Sequence, residues 1–197
     1  MRSAFISASA MLALLAGLCG GPAQAQEVSA EELDQQVDSA AALAGDGKFV
    51  EALDAMRAAT VSLWDTAPLS FRHALWIAEP PGGWGVYTPR GNATFASGDK
   101  MIAYAEPVGF GWRQSGELWV IDWTADMVIK SKDGTELQRV NDFQQLKITS
   151  HERNQEVFAN FTYTFTDIPS GDYIVDTVLR DKASGKSATF SLDFAIR

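Results

Sequence analysis

Positions 78–87 read AEPPGGWGVY, and positions 105–113 read AEPVGFGWR. Both runs carry Ala-Glu-Pro, then glycine, an aromatic and glycine. Flat apolar faces beside a few polar groups suit a small ligand or a sugar ring. Trp84, Tyr87, Phe110 and Trp112 would supply the faces, with Glu79, Glu106 and Arg113 as polar edges. The same residue types also have a structural use. Glycine lets two chain segments approach closely and proline stiffens a turn. Large aromatics are more often core than site, so the three rings Trp84, Phe110 and Trp112 would equally close the end of a core or seat one part of the chain on another.

Other chemistry is sparse. His73 and His151 stand alone, outside any metal-spaced cluster. The G-x-S-x-G nucleophile elbow and the G-x-x-x-x-G-K-[ST] phosphate loop are both missing. Asp122 and Asp126 share one strand face. Paired acids can do acid–base work, yet charges on such a face more commonly just solvate it. The Asp-Gly turns lack calcium-loop spacing. The sequence therefore predicts neither a cofactor nor a catalytic set.

The chain starts MRSAFISASAMLALLAGLCGGPAQAQ. A single positive charge, a short apolar run and Ala23-Gln24-Ala25 form a secretory leader cut after Ala25. The apolar run is too short to span a membrane, so residues 1–25 predict export rather than insertion. Cleavage removes Arg2 and no acid, taking the net charge from −9 to −10. It also removes Cys19, the one cysteine, so packing alone must hold the mature domain. A chain of this size buries roughly 70% of its unfolded surface, which is sufficient. The acidic balance argues against nucleic acid or an anionic membrane as partner.

Residues 26–80 read as a helical hairpin. Ser29 with Glu32 forms a capping box. Leu33, Val37, Ala40, Ala41 and Ala44 then fall on one face. Gly45-Asp46-Gly47 ends that helix. Phe49, Ala52, Leu53, Met56, Ala59 and Leu63 form the apolar stripe of a second, which Pro68 terminates. The stretch SFRHALWIAE predicts one more short helix. Gly47, Phe49, Ala52, Met56 and Ala59 sit in a G-x-[YF]-x-x-A frame, and the hairpin resembles a single tetratricopeptide-type repeat. One copy cannot stack into an array, so the expected role of the stripe is to pack on the chain's own domain.

From about position 84 the apolar period becomes two. Ala188, Phe190, Leu192, Phe194 and Ile196 point one way, as do Phe161, Tyr163 and Phe165, and Trp119 through Ile129 at every second position. Lys132-Asp133-Gly134-Thr135 is a hairpin turn signal. Strands over 86–96 and 99–108, joined at Ser97-Gly98-Asp99, are expected to pair. That pairing would set the two glycine-aromatic runs side by side at one end. Asp167, Gly171 and Tyr173 fit a tyrosine corner, and residues 167–196 resemble the last two strands of immunoglobulin-like domains. The fold class expected is α+β: an N-terminal helical hairpin packed on an antiparallel immunoglobulin-like β-sandwich over 84–197. The layout resembles secreted bacterial proteins with a tetratricopeptide-like hairpin ahead of such a sandwich. The function expected is a non-catalytic periplasmic or secreted module that binds an envelope protein. The alternative is a small-ligand or glycan binder using Trp84, Tyr87, Glu106, Phe110, Trp112 and Arg113.

Overall fold

The computed structural model describes residues 28–197, and the expected leader lies outside them. Two helices come first, α1 (Ala30–Gly45) and α2 (Phe49–Thr66). Ser29 Oγ accepts from the Glu32 amide at 3.2 Å, and the Glu32 carboxylate accepts from the Ser29 amide at 2.9 Å. The capping box thus satisfies two amides that the helix start would otherwise orphan. Gly47, at φ 78°, turns the chain into α2. The helices pack through small residues: Ala40, Ala52 and Ala59 are the buried ones.

Nine strands follow: β1 (Ser70–Ile77), β2 (Thr94–Phe95), β3 (Lys100–Val108), β4 (Arg113–Ser115), β5 (Leu118–Ser131), β6 (Glu136–Ser150), β7 (Ala159–Thr164), β8 (Gly171–Asp181) and β9 (Ser187–Ile196). They make a three-stranded sheet, β1-β3-β7, and a six-stranded sheet, β2-β9-β8-β5-β4 with β6 on β5. The pairing is antiparallel except for β2, which runs parallel to β9. One core joins the sheets: Trp76, Ala103, Phe161 and Tyr163 from the small sheet meet Trp123, Val175, Phe190 and Phe194 from the large one. The alternating residues of β7 and β9, and of β5 from Ile121 to Ile129, face this core as their period predicts, whereas Trp119 lies outside it. Tyr173 donates its hydroxyl proton to the Pro169 carbonyl at 2.8 Å.

Three expectations are corrected. The stretch expected as a third short helix is β1. Its core residues Phe71 and Ala74 are three apart, which reads as helical. The spacing comes from a register shift between Phe71 and Ala74, a bulge that lets both face the core. The strand expected over 86–96 is reduced to Thr94–Phe95, because Pro89 and Gly91 interrupt it. β3 pairs instead with β1 and β7. Finally, the stripe of α2 does not pack on the β body. Phe49, Leu53, Met56 and Leu63 are exposed, and the hairpin is fixed by its far end.

Candidate functional site

That far end is a seam built around the second glycine-aromatic run. Phe110 is 0% exposed. Its ring lies edge-on to Trp64 of α2 and to Trp123 of β5, each at 5.1 Å, and 4.9 Å from Trp112. Trp64 Nε1 donates to the Phe110 carbonyl at 2.8 Å. The two glycines are set by close approach. Gly109 has φ +75°, and a Cβ there would sit 2.4 Å from the Pro68 carbonyl oxygen. A Cβ on Gly111 would meet Ser184 Cβ at 2.9 Å. The Gly111 amide donates to the buried Asp181 carboxylate at 2.6 Å.

The β8–β9 turn completes the seam. Lys186 Nζ donates to three carbonyls: Asp65 at 2.9 Å, Ala67 at 2.6 Å and Gly109 at 2.9 Å. A cation among the last carbonyls of α2 also meets the negative end of the helix dipole. The Arg153 guanidinium lies 4.5 Å from the Trp112 ring and 5.5 Å from Trp119, and pairs with Asp65 at 2.5 Å. Beside it a cleft of about 900 Å³ opens between α2 (Asp54, Arg57, Val61) and the segment 152–156, with Trp119 at its wall. Arg153 Nε and Gln155 Nε2, on residues that line it, are buried without a hydrogen-bond partner, as is Trp112 Nε1 in the seam.

The first run sits elsewhere. It covers the outer face of the small sheet, where Tyr87 packs on Tyr104 at 4.3 Å and Tyr104 stacks on Phe158 at 5.6 Å. The Tyr104 hydroxyl accepts from the Gly85 amide at 2.7 Å and donates to Glu106 Oε1 at 2.8 Å. Burial pushes the Tyr104 phenol up to about 12, with the Glu106 carboxylate adding to the rise. Glu106 is 4% exposed, so it is a partner of Tyr104 rather than a rim group. Trp84 is half-buried with Arg72 5.7 Å from its ring. Glu79 accepts from Thr88 at 3.1 Å.

The six residues expected to form one site therefore separate. Ser70 pairs with Val108 and Ile77 with Ile102, so the runs that follow Ile77 and Val108 leave opposite ends of the β1–β3 ladder. Phe110 and Trp112 meet at the seam. Tyr87 and Glu106 meet at Tyr104, while Trp84 lies beside Arg72 of β1. Arg113 is exposed on β4. The sequence reading missed Trp64, Trp119, Arg153, Asp181 and Lys186, which come from four separate segments. Asp122 and Asp126 are not a free acid pair: Asp122 binds Lys182 at 3.0 Å, and Asp126 binds Arg180 and the Asp142 amide, each at 2.8 Å. His73 and His151 are exposed, His73 on β1 rather than on a helix.

The second surface is the hairpin itself. Eight large apolar side chains are exposed among the described residues, and six of them lie here: Val37, Phe49, Val50, Leu53, Met56 and Leu63. Single exposed apolar residues are ordinary, whereas a contiguous set marks an interaction surface.

No family model matches this sequence, and no curated protein matches it. Among solved structures, the Pseudomonas fluorescens alkylpurine DNA glycosylase AlkC bound to DNA containing an abasic-site analogue aligns with 71% of this chain and 33% of its own, at 10% identity and TM-score 0.36. The sporulation control protein Spo0M of Bacillus subtilis aligns over 66% of this chain and 50% of its own, at 11% identity and TM-score 0.34. The PmoD soluble domain from a Methylocystis species aligns over 64% and 90%, at 11% identity and TM-score 0.29. This chain spans a third of the first protein and half of the second. The likenesses are too distant to carry an activity across.

Proposed function

We propose that this chain is an exported, non-catalytic interaction module that docks an envelope protein through the free face of its helical hairpin. The β body acts as the scaffold, and we read it as an immunoglobulin-like sandwich. The Tyr173–Pro169 hydrogen bond supports that reading, since the corner Tyr of such domains bonds back to the chain a few residues upstream. The observation that carries the function is the apolar stripe of α2. Phe49, Leu53, Met56 and Leu63 face solvent, while the far end of the same helix is fixed to the body by Trp64 and Lys186. A held helix with an uncovered apolar face is preorganised for a helix-in-groove partner.

The test is photo-crosslinking in cells from position 53 or 56, with position 35 on α1 as control. One discrete adduct from the stripe positions, lost in Leu63→Glu, is expected. Equal labelling from position 35, or none from the stripe, would reject the docking role. Fractionation with N-terminal sequencing checks export, and retention of residues 1–25 in the cytoplasm would reject the envelope location.

A second reading is favoured by the seam cleft. Unpartnered donors at Arg153 and Gln155 suit a small ligand rich in acceptor oxygens, such as a glycan. Tryptophan emission would shift when a soluble oligosaccharide enters, and Trp119→Ala would abolish the shift. A glycan panel that leaves the emission unchanged removes this reading.

A further inference from the structure

Resting on the docking role of the hairpin, we infer that the partner presents a basic amphipathic helix. The stripe residues Phe49, Leu53, Met56 and Leu63 follow the spacing of one helix face. From the first to the last they span about 21 Å, four turns of helix, which matches a partner helix of about 14 residues. On α1, Val37 lies one turn from Asp34, so a carboxylate borders the apolar patch.

Charge decides which helix fits. Residues 30–66 carry eight carboxylates against two cations, Lys48 and Arg57, a net −6. Both cations are already taken, Lys48 by Asp46 at 3.4 Å and Arg57 by Asp54 at 3.0 Å. On α1, Glu31, Asp34 and Asp38 are exposed and make no ion pair among the described residues. An apolar stripe inside an acidic field attracts a helix with leucine-type anchors flanked by Lys or Arg. It repels a second copy of itself, which would bring the same unpaired carboxylates to the interface. It also repels an anionic lipid surface.

The experiment uses the whole mature chain, residues 26–197, and two labelled 18-residue synthetic helices. They share one leucine face and differ only in a Lys or a Glu polar face. Fluorescence anisotropy is expected to show the Lys helix binding at least about tenfold more tightly than the Glu helix, with the gap closing as salt rises from about 50 to about 300 mM. Leu53→Asp, an exposed site whose folding is checked by circular dichroism, should abolish binding, and Asp34→Lys with Asp38→Lys should shrink the preference. Equal binding of both helices, still lost in Leu53→Asp, overturns the charge inference and leaves the docking role standing. Binding of the Lys helix that survives Leu53→Asp is plain attraction between opposite charges and overturns the inference. So does failure of both helices, and the cross-linking from position 53 then decides the wider role. Self-association in sedimentation that Leu53→Asp removes assigns the face to a second copy. Capture by phosphatidylglycerol vesicles assigns it to lipid.

Discussion

The two glycine-aromatic runs share their letters and differ in nearly every physical respect. The first, at 78–87, is a local turn: the Gly82 amide bonds the Val86 carbonyl and the Val86 amide bonds the Gly83 carbonyl. A Cβ on Gly85 would meet nothing within 4 Å. The second, at 105–113, is a wedge between helix, turn and sheet, and its glycines touch Pro68 and Ser184. A motif of turn residues specifies how the chain bends. What the bend is packed against comes from segments far away in sequence.

The largest effect expected from this difference concerns the aromatics. Phe110→Ala should destabilise by about 3–5 kcal/mol, because the ring is fully enclosed and its cavity is lined by three Trp rings. Tyr87→Ala, at a half-buried ring on the outer face, should cost no more than about 2 kcal/mol. Urea unfolding of both variants measures this, and equal losses would dissolve the distinction between wedge and cover. The glycines come next. Gly109→Ala forces a Cβ onto a backbone carbonyl at positive φ, and about 2–4 kcal/mol of loss is expected. Gly85→Ala meets only the positive-φ penalty, about 1 kcal/mol.

Lys186 sharpens the comparison, because its three hydrogen bonds belong to the second run and the α2 terminus alone. Lys186→Met should cost about 1–3 kcal/mol through orphaned carbonyls. Hydrogen exchange should rise across α2 while β5 and β8 keep their protection. A uniform rise across the sheets would show that the seam is part of the core rather than a fastener.

This contrast also explains how much could be read from sequence. The capping box at Ser29 and Glu32, the turn at 132–135 and the alternation of β7 and β9 are local patterns, and each is present. β1 was misread because its bulge at Arg72-His73 counterfeits helical spacing. The seam was illegible for another reason. Trp64 meets Phe110 across 46 residues, and Lys186 reaches Asp65 across 121. Nothing in a single sequence ties such distant positions together. The stripe of α2 was legible as a stripe. What could not be read was that small residues, Ala52 and Ala59, take the buried contact and leave the large ones outside.

The smallest expected effect tests the first run on its own terms. Tyr104 links the Gly85 turn to Glu106, and it can donate to the carboxylate only while protonated. Burial raises its folded value to about 12, above the ordinary phenol value of about 10. A group whose folded value is raised contributes its stability in full below the unfolded value. That contribution is lost as pH climbs through the folded one. Wild type should therefore lose stability between about pH 10 and about pH 12 through Tyr104, beyond whatever the other tyrosines contribute. Tyr104→Phe keeps the packing and removes the titration. At neutral pH it should be less stable by about 1 kcal/mol, since Glu106 and the Gly85 amide lose their partner. The gap between the two proteins should then narrow across that alkaline window. Buried Tyr163, also raised by burial, is present in both and cancels in the difference. A gap that stays constant to pH 12 would mean that the first run does not hold Tyr104 away from water, and that its glycines serve only the turn.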